Sequence, residues 1–207
     1  LSMPIKQHGD EYHRAQEHSL WLKQKFLNVD IHELDLNAAW TAIETTFSEC
    51  SQNPLVMANT RSRLRMLSLY AYAGSRSFLV AGTGNKIEDF GIGFFTKYGD
   101  GGVDISPIAD LHKSEVYALG RYLQLCDSVL NAKPTDGLFA DGRTDEDQIG
   151  ASYDELELAM NHASELNIEK MTERQRTVWE IYSKRHNQNA HKMKPIPVCI
   201  LPKLLKS

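Results

Sequence analysis

A glycine-containing turn after a short apolar run is the first place in this sequence where chemistry is expected. The run Phe78–Ala81 is typical of a buried parallel strand, and Gly82-Thr83-Gly84 follows it, at the strand end where α/β proteins bind ligands. Neither this turn nor Gly91-x-Gly93 has the third glycine of the dinucleotide fingerprint, and the sequence has no Walker motif. No serine or cysteine lies in a nucleophile elbow, so the residue pattern gives no support to covalent catalysis.

Charged and hydroxyl side chains near this turn have more than one interpretation when each is taken alone. Glu88 has the chemistry of a metal ligand, but a single carboxylate is also typical of an ordinary loop acid. Arg61 and Arg65 lie four residues apart on one helical face, which predicts surface charge, whereas Arg63 points elsewhere and is a candidate ligand. Thr83 could bind a ligand or cap a turn.

Hydrophobic periodicity predicts the elements that must position these residues. Helical patterns cover three stretches in the first half of the chain, at about residues 10–26, 38–49 and 56–72. Alternating apolar residues predict a short strand at 29–34, in addition to the run 78–81, and Gly74 is placed to end the third helix. The glycine-rich stretch 84–111 is predicted to be loop rather than regular helix.

Capping signals predict further helices toward the C-terminus. Asp110 is placed to cap one helix, and the capping boxes Ser152-x-x-Glu155 and Thr172-x-x-Gln175 predict the starts of two others. The polar stretch Lys133–Gly150 is predicted to be a mobile loop or lid, and the basic tail from His191 onward is predicted to be irregular. Strands separated by helices favour an α/β sheet in a single domain.

The overall composition excludes several classes of protein. With 42 % hydrophobic and 24 % charged residues in a chain of 207, the sequence is typical of a globular protein with one core. The net charge of −4 lacks the basic field that favours nucleic-acid binding, and no apolar run reaches the roughly 18 residues of a membrane span. Cys50, Cys126 and Cys199 form no metal or disulfide pattern, which is typical of a reducing compartment. We therefore expect a cytoplasmic protein with neither nucleic-acid nor membrane partners.

A longer pattern gives the charged residues a context. It comprises Asn59-Thr-Arg-Ser-Arg63-Leu-Arg-Met66, Gly82-Thr83-Gly-Asn-Lys-Ile-Glu88, Gly93-Phe-Phe-Thr-Lys97-Tyr-Gly-Asp-Gly-Gly-Val-Asp104 and Pro107-Ile-Ala-Asp-Leu-His-Lys113. Later segments agree in order, namely Lys133-Pro-Thr135, Asp145-Glu-x-x-Ile-Gly150, Tyr153-Asp and His191-Lys192. Over nearly the whole chain, this pattern resembles the NAD synthetase family of ammonia-dependent amidating ligases.

The resemblance implies a role for each matching residue. Contacts with ATP are implied for Thr83, Lys113 and Thr135, and a contact with Mg²⁺ is implied for Glu88. Contacts with deamido-NAD are implied for Arg63, Lys97, Asp104, His191 and Lys192. These ligands concentrate negative charge, which cationic side chains and a hard Mg²⁺ ion offset, while Asp104 suits a hydroxyl or amide donor.

The resemblance also implies a fold and an activity. The fold is expected to be α/β, a Rossmann-like parallel sheet with helices on both faces, of the adenine-nucleotide α-hydrolase type. The expected reaction is amidation of deamido-NAD to NAD, in which ATP forms an NAD-adenylate, ammonia replaces AMP, and pyrophosphate is released. A cytoplasmic homodimer is expected, and the absence of a glutaminase-like segment favours free ammonia. Two alternatives stay open, a catalytically silent dinucleotide-binding protein and a different ATP-pyrophosphatase ligase.

One motif of the family has no match in these residues. The SGGxDS loop holds the pyrophosphate of ATP in the family, upstream of a segment like Ser2-Met-Pro-Ile5, which is where this sequence begins. Gly101-Gly-Val-Asp104 resembles part of that motif, but it lacks the flanking serines and follows no buried strand. We therefore expect that residues 1–207 form a single catalytic domain whose N-terminal part is missing from the sequence.

Overall fold

A computed structural model describes residues 1–7, 9–135, 137, 142–161 and 170–202 of the chain. The α-helices in these ranges are α1 Gly9–Lys25, α2 Asn37–Thr46, α3 Pro54–Gly74, α4 Lys113–Tyr122, α5 Asp127–Leu130, α6 Asp145–Ile149, α7 Tyr153–Asn161 and α8 Glu173–Met193. A short π-helix, Ile87–Ile92, lies between α3 and α4. Within the described ranges, no helix has both the length and the apolar character needed to cross a membrane.

The described residues show two isolated parallel β-bridges where the sequence predicts strands. One bridge joins Ser2 to Glu33, and the other joins Ala81 to Ile105. The second contact includes a hydrogen bond from the Gly82 amide to the Ile105 carbonyl, at 2.7 Å. A bridge is a shorter unit than a strand, so the parallel sheet remains a prediction.

The run Phe78–Ala81 differs from its prediction as a fully buried strand. Phe78 and Leu79 are 63 % and 68 % exposed, and Val80 is the buried residue of the run. A parallel strand buries its apolar side chains when other elements cover both of its faces. Among the described residues that cover is incomplete, so the expected burial of the whole run is wrong.

Local capping explains why several helices begin where the sequence predicts. The Asn53 side chain accepts hydrogen bonds from two amides at the start of α3, and Pro54 occupies the first helical position. Both predicted capping boxes are confirmed: the Ser152 amide donates to Glu155 and the Thr172 amide donates to Gln175, each at 2.9 Å. These bonds fix the starts of α7 and α8.

The predicted cap at Asp110 is wrong. Helix α4 begins at Lys113 and its cap is His112, whose amide donates to the Glu115 carboxylate at 2.7 Å. Asp110 instead accepts a hydrogen bond from the Lys86 ammonium at 2.9 Å. The Glu115 carboxylate therefore supplies the capping contact that the sequence assigned to Asp110.

Parts of three predicted loops are helical. In the glycine-rich stretch, the buried Asn85 side chain accepts from the Ile87 and Glu88 amides, both at 3.1 Å, and so starts the π-helix. In the predicted lid, Thr144 caps α6, while residues 136 and 138–141 lie outside the described residues. The predicted irregular tail is helical through Met193, so His191 and Lys192 belong to the last turn of α8.

Two apolar clusters hold these elements together. The first joins the π-helix, α6, α7 and α8 through Ile87, Ile92, Ile149, Ala151, Tyr153, Leu156, Ala159, Val178 and Tyr182. The second joins the N-terminal segment to α2 and α3 through Ile5, Leu36, Trp40, Met57 and Leu64. Each cluster contains apolar side chains from several elements. The packing therefore fixes the positions of these elements, and of the polar residues that they carry, relative to one another.

The face of α3 that carries Arg61 and Arg65 is not the solvated surface that the sequence predicts. Both side chains are half-buried, and Arg65 donates to the Met3 carbonyl at 3.2 Å. The Arg61 guanidinium lies 5.0 Å from the centre of the Trp40 ring. These arginines pack against the N-terminal segment and α2, which leaves Arg63 as the exposed arginine of the three.

Candidate functional site

The last turn of α8 meets the loop after the π-helix and brings four predicted dinucleotide contacts together. The Lys192 ammonium donates to two backbone carbonyls of that loop, at 2.9 and 2.8 Å. The Lys97 ammonium donates to the His191 carbonyl at 2.6 Å, and Arg63 donates to the Lys97 carbonyl at 3.3 Å. We refer to Arg63, Lys97, His191 and Lys192 as the cationic cluster.

The electrostatics of the cationic cluster favour an anionic ligand. Burial lowers the pKa of Lys192; the Asp100 carboxylate opposes this shift, and the Arg185 and Arg63 cations add to it. A bound anion would offset this cost and stabilise the charged ammonium. Lysine carries three N–H donors, so the recorded bonds of Lys97 and Lys192 leave donors for a ligand. The cluster is therefore suited to phosphate or carboxylate groups.

A cleft of about 650 Å³ opens beside the cationic cluster. It lies between α3, α6, α8 and the segment 93–96, and Lys192, Asn59 and Asp100 are among its lining residues. Its volume lies in the range that small-molecule sites generally have, about 300–1,000 Å³. This cleft is the candidate nucleotide site.

A second polar group surrounds Glu88 on the π-helix. The Lys113 ammonium, from the first turn of α4, lies 2.9 Å from Glu88 Oε1, and both side chains are less than one-fifth exposed. The Tyr153 hydroxyl, from the start of α7, donates to the same oxygen at 2.6 Å and lies 3.1 Å from Asp145 Oδ2. We refer to Glu88, Lys113, Asp145 and Tyr153 as the Glu88 cluster.

Burial and nearby carboxylates shift the pKa values of two side chains, Tyr153 in the Glu88 cluster and Asp89 beside it. Burial raises the pKa of Tyr153, and the Glu88 and Asp145 carboxylates raise it further, so the hydroxyl keeps its proton. Burial also raises the pKa of Asp89 to about 6, with the Glu88 and Asp100 carboxylates acting in the same direction. Asp89 was not predicted as a site residue, because its partly buried environment depends on the tertiary fold.

The donor set of the Glu88 cluster suits a magnesium ion that is shared with a substrate. Among the described residues, no group of three or more histidine, cysteine, aspartate or glutamate side chains could hold a metal. Mg²⁺ commonly binds one or two carboxylates together with phosphate oxygens and water, so it does not need an all-protein cage. The recorded contacts of Glu88 use Oε1, which leaves Oε2 as the candidate ligand atom.

The remaining predicted site residues do not join either cluster by a hydrogen bond in the described part of the chain. The Asp104 carboxylate accepts from the Val80 amide at 2.8 Å and from the Tyr70 hydroxyl at 3.1 Å, so it supports the second bridge. The Thr135 hydroxyl donates to a carbonyl of its own loop at 3.1 Å. Thr83 is exposed in the turn after the bridge at Ala81.

Tyr153 and Asp145 are functional candidates to which the sequence assigned no role. Both lie in segments that contributed to the family resemblance, and the matching order of those segments was the available signal. Their proximity to Glu88 depends on packing between the π-helix, α6 and α7, which the single sequence does not reveal.

Comparison with solved structures defines the class of fold. The chain resembles NMN synthetase from Francisella tularensis with a TM-score of 0.78 and 30 % identity, over 97 % of this chain and 76 % of that one. It also resembles NH3-dependent NAD synthetase from Campylobacter jejuni with a TM-score of 0.71 and 23 % identity, over 96 % and 76 % of the two chains. The fold is therefore that of the nicotinamide-nucleotide synthetases.

Sequence comparison specifies the family. The NH(3)-dependent NAD(+) synthetase of Finegoldia magna is 35 % identical over 157 residues, 76 % of this chain and 62 % of that protein. The NAD synthase family model matches residues 1–196, and the chain belongs to this family. The predicted resemblance is confirmed. The chain spans between 51 % and 68 % of the length of three curated relatives that it matches.

Proposed function

We propose that this chain is the catalytic part of an ammonia-dependent NAD synthetase, a ligase that amidates deamido-NAD to NAD with ATP. The observation that carries this proposal is the family match over residues 1–196, which spans both the cationic cluster and the Glu88 cluster. The two clusters supply the cations and the carboxylate that two nucleotides and a magnesium ion require.

We infer that the two parallel bridges belong to a Rossmann-like parallel sheet with helices on both faces, within one catalytic domain. The parallel direction of both bridges and the likeness to the F. tularensis structure support this inference.

A homodimer is part of the proposal, and exposed apolar side chains at Phe47, Leu55 and Val56 are consistent with a protein interface. The three cysteines are free, which is consistent with the proposed cytoplasmic location.

Deamido-NAD is proposed to bind in the cleft beside the cationic cluster. Arg63, Lys97 and Lys192 would donate to its pyrophosphate and carboxylate oxygens, and His191 would contribute from the same helical turn. Asp104 would accept from a hydroxyl or amide of the substrate while it continues to hold the Val80 amide.

ATP is proposed to bind near the Glu88 cluster, with contacts from Lys113, Thr83 and Thr135. Glu88 would hold Mg²⁺, which supplies positive charge against the triphosphate when it is bound. The Lys113 ammonium lies against Glu88 in the present structure and retains donors for phosphate oxygens.

The proposed reaction needs no enzyme nucleophile. A carboxylate oxygen of deamido-NAD attacks the α-phosphorus of ATP, and the bond to pyrophosphate breaks. Ammonia then attacks the acyl carbon, AMP leaves with the bonding electrons, and the nitrogen loses a proton to form the amide. The residues of the chain contribute by orienting the two nucleotides and by stabilising charge.

A second candidate substrate is nicotinate mononucleotide. The likeness to the F. tularensis NMN synthetase favours it, because that structure has a higher TM-score and higher identity than the C. jejuni NAD synthetase. The chemistry would be the same amidation.

A silent dinucleotide-binding protein is distinguished by separate titrations, since it would bind deamido-NAD but not ATP.

Replacement of Glu88 tests the proposed magnesium and ATP site. In the full-length protein, Glu88→Gln is expected to lower the amidation rate about 100-fold or more, because a charge-stabilising group at the reacting phosphates is lost. Glu44→Gln is the matched control, since Glu44 also pairs with a lysine, at 2.7 Å, but lies on α2. Near-normal turnover by Glu88→Gln would overturn this site assignment.

A further inference from the structure

The Tyr153 hydroxyl lies between two carboxylates that come from different elements. It is 2.6 Å from Glu88 Oε1 on the π-helix and 3.1 Å from Asp145 Oδ2 at the start of α6. The tyrosine is 5 % exposed, and its ring packs in the cluster that joins the π-helix, α6, α7 and α8. This packing fixes the position of the hydroxyl oxygen relative to both acids.

The hydroxyl has one proton and two possible carboxylate acceptors. The shorter separation lies within the roughly 2.5–2.7 Å range of a charge-assisted O–H···O⁻ bond, so Tyr153 donates to Glu88 in this structure. Lys113 donates to the same Glu88 oxygen at 2.9 Å. Two donors on Oε1, one of them set by a buried ring, restrict the rotation of the carboxylate and thereby determine the position of Oε2.

We propose that Tyr153 is a positioning residue that orients the Glu88 carboxylate for a divalent cation. The inference rests on the proposed function, because that function places the cation at Glu88. Partners that hydrogen-bond to a metal-ligating group commonly affect metal affinity about 10- to 100-fold when they are removed. Tyr153 acts through Glu88 and is not itself a ligand.

Asp145 offers the same hydroxyl a second hydrogen-bond acceptor. When a cation neutralises the Glu88 carboxylate, rotation of the Tyr153 O–H bond toward Asp145 forms a charge-assisted bond there without movement of the ring. Asp145 is the first residue of α6, a short helix that lies inside the stretch 133–150. Cation binding at Glu88 is thereby coupled to the start of α6.

Tyr153→Phe in the full-length protein tests the positioning role, with Mn²⁺ as the probe. Binding of Mn²⁺ in the presence of ATP is measured by electron paramagnetic resonance, and thermal unfolding verifies that each variant is folded. We expect Tyr153→Phe to bind Mn²⁺ about tenfold more weakly, with a matching rise in the metal concentration needed for half-maximal amidation. The phenylalanine keeps the buried ring, so the core packing is retained.

Tyr182→Phe is the matched control, because Tyr182 is a buried tyrosine of the same apolar cluster. It is expected to bind Mn²⁺ within about twofold of the unmodified protein. Equal Mn²⁺ affinity in Tyr153→Phe and Tyr182→Phe, in a protein that amidates its substrate, would overturn the positioning role alone. An unmodified protein that forms no amide would instead contradict the proposed function, and Mn²⁺ binding would still decide whether Tyr153 orients Glu88.

Discussion

Gly93 allows the chain to leave the π-helix directly against α8. Its φ of +62° lies in the left-handed region, and a Cβ at this position would overlap the Cβ of Asn189. We expect Gly93→Ala to destabilise the protein by about 2–3 kcal/mol, because backbone strain and steric overlap add. For a chain of this size, that corresponds to a fall in Tm of roughly 4–12 °C, measured by thermal unfolding.

Gly74→Ala is the control for this substitution. Gly74 is the last residue of α3, and an added Cβ would meet nothing within 4 Å. Alanine is a better helix former than glycine, so the Tm is expected to stay the same or rise slightly. Equal Tm values for the two variants would show that the close contact between Gly93 and α8 does not contribute to stability.

At the residue scale, the sequence identified candidate site residues but not the contacts that these residues make with one another. Glu88 and Lys113 were each candidates, but their 2.9 Å contact depends on how the π-helix and α4 are placed. The bond from Lys97 to the His191 carbonyl joins residues 94 positions apart, and no local signal predicts such a pair. The roles of these residues toward ATP, deamido-NAD and Mg²⁺ stay predictions.

At the scale of elements, an ion pair joins the starts of α7 and α8. Arg174 donates to both oxygens of Glu155, at 2.7 and 2.6 Å. The Arg174 bond is the largest influence on the pKa of Glu155, which falls from 4.5 to about 2; burial is the next largest and opposes the fall, while bonds from Ser152 add to it. A carboxylate with a lowered pKa stabilises the fold above its unfolded pKa, and this contribution is lost as the pH falls toward 2.

Glu155→Gln is therefore expected to lower stability at pH 7 by about 1 kcal/mol or less, because the pair is partly exposed to solvent. The difference in free energy of unfolding between the variant and the unmodified protein should shrink between pH 4.5 and pH 2, where the unmodified protein also loses the charge. Denaturant unfolding at a series of pH values measures this difference. A difference that stays constant down to pH 2 would contradict the assigned role of the ion pair.

Local signals account for the elements that were predicted correctly. The capping boxes at Ser152 and Thr172 act within one helical turn, so sequence alone identifies them. The π-helix was missed, because its start depends on Asn85 being buried beneath the turn. The predicted strands appear as single bridges in the described residues, and strand pairing depends on partners distant in sequence.

At the scale of the whole molecule, cationic side chains are concentrated in one region although the net charge is negative. The chain carries a net charge of −4, yet Arg63, Lys97 and Lys192 lie together at the last turn of α8, and Lys192 lines the adjoining cleft. Local cations of this kind bind an anionic nucleotide without the general basic surface that nucleic-acid binding favours. The composition predicted the lack of a general basic surface, whereas the local group of cations was found only in the fold.

The most direct test of the account is an amidation assay of the full-length protein with ATP, Mg²⁺ and ammonium. Deamido-NAD and nicotinate mononucleotide are supplied in separate reactions, and the nucleotide products are identified by mass spectrometry. The account predicts that deamido-NAD gives NAD, with AMP and pyrophosphate formed in equal amounts. NMN formation without NAD formation would favour the mononucleotide as substrate, and no amide product from either compound would contradict the proposed ligase activity.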